Sequence, residues 1–347
     1  MSREKRMKHT RFLLVGCGTI GQRHAALAAE KGVLVAVCDI NETKAKAFSA
    51  KYNCYGYTSI KEMLKNEEAE ALLVCTPNGL HATHSISGLK AGVHVLCEKP
   101  MAISSVDCKR MINAAAKAKK HLLIVKQNRL NPPVAAVKNL LAKNKLGKIY
   151  SIQVNCFWKR GAKYYQQSDW RGTKALDGGV LFTQFSHFID LLYWFFGEVK
   201  TVKGFTANVA HQLLIEVEDT GVFSFVTNTG VPGTLHYSTN TKNKNYEGSI
   251  TILAEKATIK IGGSYLNTIE YQEPVLIDVA KLTAGNDANQ YKGYQGSMNN
   301  HARVYDAFIR VIAGKQRNYV SGEEGIHSVK MIEQFYKAGG KLRAASF

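Results

Sequence analysis

The chain has 347 residues, which at roughly 100–200 residues per domain suggests two domains, each able to bury a core, and excludes a disulfide-stapled miniprotein. Hydrophobic residues make up 45% and charged residues 21%, the balance of a globular protein and not of a disordered or fibrous one. The 46 basic and 27 acidic residues leave a net charge of +19, but the basic residues are spread along amphipathic segments such as Lys109 to Lys126 and Lys138 to Lys148, apart from the amino-terminal Arg3, Lys5, Arg6 and Lys8. No zinc-finger, recognition-helix or RNA-binding signature joins them, so no nucleic-acid partner is expected, and the field suits a small anionic substrate.

From Arg11 to about Lys126, short apolar runs alternate with helical patterns: "RFLLVG" then a helix over 19–31, "VLVAVCD" then 42–52, "ALLVCTP" then 79–91, "VHVLCE" then 104–120, and "LLIVKQ". Near-continuous Val, Ile and Leu runs separated by amphipathic helices predict a doubly wound parallel sheet covered on both faces. After a helix near 133–143 the texture changes to alternating strands over 148–158, 199–209, 212–218, 221–228, 233–239, 248–254 and 257–261, which predicts a mostly antiparallel sheet. An aromatic-rich polar loop from Lys159 to Lys174 and an apolar helix from Gly179 to Phe196 interrupt it, and helices over 299–313 and 323–338 close the chain. The expected division is 1–126 and 127–347. The longest apolar run, Phe188 to Phe196, contains Asp190 and falls far short of the roughly 20 residues that span a bilayer, so no membrane partner is expected. Seven cysteines, an odd number without metal-ligand spacing, read as free thiols in a reducing compartment, with no metal site. The charged first ten residues lack the apolar core of a signal peptide, which leaves a cytoplasmic address as the expectation.

Gly16-Cys17-Gly18-Thr19-Ile20-Gly21 fits GxGxxG between the first strand and the first helix. Gly16 permits the tight turn, Gly18 admits a pyrophosphate to the backbone at the helix N-terminus, and Gly21 lets helix and strand approach. Asp39 ends the second strand close to the spacing of a ribose-binding carboxylate. It would repel a 2′-phosphate, which predicts NAD over NADP. "CTPN" (Cys75 to Asn78) and "CEKP" (Cys97 to Pro100) end later strands, where ligands of such sheets bind. Lys99 there is placed to hydrogen-bond a substrate hydroxyl and steady the developing alkoxide, although a bare loop lysine is more often solvated than catalytic. Thr183, His187 and Asp190 fall on one face of the expected helix, so His187 reads either as a proton acceptor or as a core histidine satisfied by its neighbour.

In order and spacing, GxGxxG, Asp39, "TPN", "EKP" and "GG…H-x-x-D" ending at His187 and Asp190 resemble the Gfo/Idh/MocA family of sugar and polyol dehydrogenases over nearly the whole chain. The resemblance implies an α/β protein with an amino-terminal Rossmann domain that binds NAD and a carboxy-terminal α/β domain whose open, mostly antiparallel sheet often builds an oligomer interface, here a homotetramer. It implies Lys99 and His187 as the catalytic pair, with Lys99 polarising the hydroxyl and His187 as base. Cofactor contacts are implied at Gly16, Gly18, Thr19, Ile20, Gly21 and Asp39, then at Thr76, Pro77, Asn78, His81, Glu98 and Lys99, and finally at Gln127, Trp170 and Arg171. Many members carry an aspartate four residues before the histidine, where this chain has Thr183.

"VKQNRLNPPV", "VNCFWKR", "YYQQSDWRGTKALDGGVLFTQFSHFID", "EDTG" and "EGSITILAEKATIKIGG" look more narrowly like the bacterial UDP-N-acetylglucosaminuronate 3-dehydrogenases of surface-polysaccharide (lipopolysaccharide O-antigen) biosynthesis. That likeness implies a nucleotide-sugar substrate oxidised at C3, with NADH in some relatives retained and recycled by 2-oxoglutarate. It places Lys99, Gln127, Arg129, Arg160, Tyr165, Thr183, Gln184, His187 and Asn240 at the sugar, Arg129 and Arg160 being suited to its carboxylate or pyrophosphate. The rival expectations are another sugar or polyol dehydrogenase of the family, and a non-catalytic sensor of nucleotide or sugar on the same scaffold.

Overall fold

The computed structural model describes residues 9–283, 285, 288–291, 294–316 and 319–341, so Arg3, Lys5, Arg6 and Lys8 lie outside the described residues. Two compact units result. The first comprises the described residues up to Ala102, Val106–Val125 and Val304–Gly325; the second comprises Ile103–Ser105, Lys126–Arg303 and the described residues from Ile326. The chain thus passes from one to the other at Val125/Lys126, and the segment 304–325 returns to the first unit, a return that the expected division does not contain.

In the first unit the apolar runs form β1 (Arg11–Val15), β2 (Val33–Cys38), β3 (Tyr55–Tyr57), β4 (Ala71–Val74), β5 (His94–Cys97) and β6 (Leu122–Ile124). They pair in the order β3-β2-β1-β4-β5-β6, all parallel. Phe12, Leu13, Leu14, Leu72 and Leu73 are completely buried, as strands covered on both faces must be. The helices are α1 (Thr19–Lys31), α2 (Glu42–Tyr52), α3 (Ile60–Asn66), α4 (His81–Lys90) and α5 (Ser105–Ala118). The strand β3 and helix α3 are additions to the expected pattern. The strand order reverses between β1 and β4, and the carboxyl ends of those neighbours carry Gly16 and Cys75, the crevice where open parallel sheets bind ligands.

The second unit holds α6 (Pro132–Ala142), β7 (Ile149–Phe157), α7 (Ala162–Tyr165), α8 (Val180–Thr183), α9 (Ser186–Phe196), β8 (Val199–Ala207), β9 (Thr220–Thr227), β10 (Pro232–Ser238), β11 (Glu247–Ala254), β12 (Thr258–Gly262), β13 (Thr268–Glu273), β14 (Ala288–Tyr291) and β15 (Tyr294–Met298). The chain ends its described part in α10 (His301–Ile312), α11 (Gly322–Ala338) and β16 (Gly339–Lys341). Eight strands form one sheet in the order β13-β12-β11-β7-β10-β9-β8-β16, antiparallel except at β7/β10 and β8/β16. Its inner face packs aromatics against the helices: Phe335 meets Phe223 at 5.2 Å and Phe185 meets Tyr237 at 5.4 Å between ring centroids. No described helix is long and apolar enough to cross a membrane.

Two expectations fail here. The segment 212–218 is a loop and not a strand, because side chains replace the ladder: the Asn208 amide donates to the Ile215 and Val217 carbonyls at 3.2 and 3.0 Å, and Asp219 accepts the Val209 and Ala210 amides. Its alternating Ile215 and Val217 are buried beside Tyr164 and Tyr165 instead of entering the sheet. The expected single helix over 179–196 breaks into α8 and α9. The Phe185 amide reaches back to the Val180 carbonyl, its ring is buried between Trp158 and Tyr237, and Gln184 is tied sideways to Arg160. Thr183 and His187 therefore stand on different helices.

Candidate active site

The glycine turn of the first unit has the geometry a dinucleotide needs. Gly16 sits at φ +99°, and a Cβ there would lie 2.6 Å from the Cys75 backbone; one on Gly21 would lie 2.0 Å from the Gly16 carbonyl. Gly18, the N-cap of α1, would meet nothing within 4 Å, and no side chain caps the helix, so its first amides are open to a pyrophosphate. Asp39 is anchored beside this turn by the amides of Cys17 at 2.8 Å and Asn41 at 2.9 Å. These residues fit a dinucleotide.

The next two strand ends are lashed together by the buried His81. His81 lies between the carbonyls of Thr76, 2.9 Å from Nε2, and Pro100, 2.7 Å from Nδ1, and burial pushes its ring below the ordinary 6.5. Thr76 Oγ1 meets His84 Nδ1 at 3.0 Å, and burial lowers that ring to about 4. His81, expected at the cofactor, is thus a staple between 76 and 100, both ring nitrogens facing backbone carbonyls. Glu98 is engaged similarly: one carboxylate oxygen lies 2.9 Å from His24 Nε2, whose other nitrogen meets the Tyr305 hydroxyl at 3.0 Å, and the second accepts the Lys99 amide at 3.0 Å. That network fixes the backbone of the half-buried Lys99, while Asn78 is buried in a short 3-10 turn, Asn78–Leu80, ahead of α4.

In the second unit, α9 presents His187 and Asp190, both buried. Asp190 receives Arg129 through Nε and Nη2 at 2.8 and 2.9 Å and Lys126 through Nζ at 3.1 Å. Burial alone would raise its carboxyl, but the two cations hold it down to about 2. Arg129, expected at a substrate anion, therefore gives its fork to Asp190. Arg160, 1% exposed, donates to Gln184 Oε1 at 2.7 Å and to Asn245 Oδ1 and the Lys159 and Gln295 carbonyls, amid the rings of Trp158, Tyr164 and Tyr294. Among the described residues no carboxylate lies within 4 Å of it, and its charge is met by neutral acceptors and ring faces. Gln184 bridges from Arg160 to the Tyr164 hydroxyl.

Arg171 lies over the Tyr164 ring at 4.3 Å and the neighbouring, half-buried Trp170 at 5.6 Å. Buried Tyr165 points its hydroxyl at Thr239 Oγ1, 3.5 Å away. Asn240 donates to Thr220 Oγ1 and leaves a buried Oδ1 without a partner, and buried Gln127 donates to Ser297 Oγ while its Oε1 finds none. Orphaned buried acceptors mark places for a donor that the described residues do not supply. Arg160, Gln184, Tyr164 and Arg171 thus form one group; Arg129, Thr183 and Asn240 are held elsewhere by Asp190, Asp177 and Thr220. Sequence reasoning missed Lys126, Asn245 and the β14–β15 hairpin, whose Gln295 and Ser297 touch expected site residues; short polar strands without hydrophobic alternation carry no signal. Asp177 had one: an acidic residue directly before two glycines at positive φ.

The model of the oxidoreductase family with the NAD-binding Rossmann fold matches residues 10–126, and that of the GFO/IDH/MocA C-terminal domain matches 134–260. The chain belongs to the Gfo/Idh/MocA family. Like its relatives, this Gfo/Idh/MocA member is an NAD-dependent dehydrogenase. It is similar to the WlbA dehydrogenase of Chromobacterium violaceum, solved in complex with NADH and UDP-GlcNAcA, at 36% identity with TM-score 0.86, covering 96% of this chain and 94% of that one. The Bordetella pertussis WlbA dehydrogenase, solved with the same two ligands, is 35% identical with TM-score 0.84, covering 95% and 96%. The glucose-6-phosphate 3-dehydrogenase of Bacillus subtilis is 32% identical over 187 residues, 53% of either chain. Such likeness makes this family member a sugar dehydrogenase.

Proposed function

We propose that the enzyme oxidises the C3 hydroxyl of UDP-2-acetamido-2-deoxy-D-glucuronate to the 3-keto sugar. The observation that carries this reading is the similarity, over almost all of both chains, to two dehydrogenases solved with NADH and UDP-GlcNAcA. The substrate carries two anionic groups, a carboxylate and a pyrophosphate, and Arg160 and Arg171, which pack on the same Tyr164 ring, supply the matching field.

The glycine turn and Asp39 would hold NAD, which would supply the acceptor for the C3 hydride. The Lys99 ammonium hydrogen-bonds the reacting oxygen and stabilises the negative charge that grows on it, and His187 takes the hydroxyl proton. One C–H and one O–H bond break, the C=O bond forms, and the electron pair leaves with the hydride. We assign the orphaned Gln127 and Asn240 acceptors to donors of the cofactor or sugar. Cytoplasmic surface-polysaccharide synthesis, a homotetramer and recycling of retained NADH by 2-oxoglutarate complete the proposal.

The test is incubation with NAD and UDP-2-acetamido-2-deoxy-D-glucuronate, with and without 2-oxoglutarate, followed by mass spectrometry of the nucleotide sugar. Loss of two hydrogens supports the reading; its appearance only with 2-oxoglutarate supports retention of the cofactor. No loss in either arm, alongside calorimetric binding of NAD, overturns the substrate and leaves the dehydrogenase.

A further inference from the structure

We propose that Asp177 is a positioning residue that fixes the hydroxyl of Thr183 as a hydrogen-bond acceptor, so that the sugar group met by Thr183 is a donor, a hydroxyl or an amide N–H. The proposal deepens the function proposed above and rests on it.

The polarity follows from counting hydrogens. Asp177 is 3% exposed; its Oδ2 accepts the Gly172 amide at 2.9 Å and its Oδ1 accepts the Gly179 amide at 3.4 Å and the hydroxyl of Thr183. The Asp177 backbone carbonyl also accepts that hydroxyl, at 3.3 Å. A hydroxyl has one hydrogen and a carboxylate has none, so with its hydrogen directed to Asp177 the Thr183 oxygen can only accept from any further group. Burial pushes the Asp177 carboxyl up to about 6, while the donors Thr183, Gly172 and Gly179 favour its ionised form. Asp177 is buried while Thr183 is partly exposed, so the carboxylate acts through the threonine.

The backbone leaves the pair little freedom. Gly178 and Gly179 hold φ of +84° and +123°; a Cβ on Gly178 would lie 2.7 Å from Ile103, and one on Gly179 would lie 2.2 Å from the Tyr336 hydroxyl. The next amide, Val180, donates to Glu218 Oε1 at 3.0 Å, and the Tyr336 hydroxyl donates to the same oxygen at 2.6 Å. The turn between Asp177 and Thr183 is thereby pinned on both sides. The break between α8 and α9 separates Thr183 from the register of His187 and leaves its side chain facing back to Asp177.

The experiment is a double-mutant cycle on the full-length enzyme: wild type, D177N, T183V and the double variant, with T183S as the conservative control. UDP-2-acetamido-2-deoxy-D-glucuronate is the probe, read by turnover and by calorimetric binding, and NAD affinity checks the fold. Asparagine offers one acceptor oxygen where the carboxylate offers two, so its NH2 group must face either the Gly172 amide or the Thr183 hydroxyl, and either orientation disturbs the acceptor pair that fixes the threonine hydrogen. Both single variants are expected to lose about tenfold to hundredfold in kcat/KM with NAD affinity unchanged, T183S to recover most of the T183V loss, and the double variant to lose no more than the worse single. A silent D177N, or additive losses, overturns the proposal while wild-type turnover keeps the function standing. If the wild type neither binds nor oxidises the probe, both fall.

Discussion

Replacing Asp190 by asparagine tests how the second unit neutralises its buried cations. Arg129 is 7% exposed and Lys126 2%, and they share one carboxylate through contacts of 2.8, 2.9 and 3.1 Å. Asparagine keeps the shape and one acceptor oxygen but removes the carboxylate charge that Arg129 and Lys126 share. Lys126 retains a hydrogen bond to Ser328 at 2.9 Å, which is neutral and cannot replace it. Breaking a buried pair in this way costs about 3–5 kcal/mol, far more than the pair would contribute against an apolar replacement, because desolvated charge is left unpaired. At roughly 2–4 °C per kcal/mol for a unit of this size, the melting point should fall by roughly 6–20 °C. The three tryptophans, Trp158, Trp170 and Trp194, all belong to the second unit, so their emission during urea or thermal unfolding reports on it selectively. The acid limb gives a second reading. The Asp190 carboxyl is held at about 2 against an ordinary 3.8, so its stabilisation is complete above about pH 4 and is lost as pH falls toward 2. That part of the acid slope should be missing in the variant. A loss below about 1 kcal/mol, or tighter binding of the nucleotide sugar by D190N, would refute the argument by showing that Arg129 was held in reserve for substrate.

Gly21→Ala places a methyl group 2.0 Å from the Gly16 carbonyl and should unfold or deplete the first unit, whereas Gly18→Ala meets nothing within the protein and should leave the melting point unchanged while weakening NAD; calorimetry with and without NAD separates them. Asp39→Ser should lower NAD affinity about tenfold or more and narrow the preference over NADP, measured by titrating both; an unchanged ratio would remove Asp39 from the ribose. Lys99→Ala should lower kcat by about 10²–10⁴-fold with NAD affinity retained, since the substitution keeps the backbone amide that Glu98 accepts; a variant within about threefold of wild type would return Lys99 to the solvated class.

How far the residues announced all this depends on the range of the interaction that fixes each feature. The parallel sheet was legible because burial on both faces demands continuous apolar runs, and the helices 19–31 and 42–52 match their expected bounds to the residue. The glycine turn was legible for a comparably local reason: Gly21 is required by a backbone collision within one βα unit and Gly16 by its positive φ. What escaped was decided by side chains far apart in sequence. Asn208 satisfies the Ile215 and Val217 carbonyls that a strand over 212–218 would have used, and no alternation pattern can reveal that. The cation of Arg129 suited a substrate carboxylate just as well as it suits Asp190, 61 residues away, and type and spacing do not distinguish the two acceptors. The same limit placed Thr183 on the helix of His187. Once Gln184 is drawn to Arg160 and Phe185 into the core, helical spacing no longer applies, and the partner of Thr183 becomes the aspartate six residues before it. The residues that bear the chemistry are thus recognisable by type, but the polarity each presents is set by its buried neighbours, which is where the experiments on Asp177 and Asp190 are aimed.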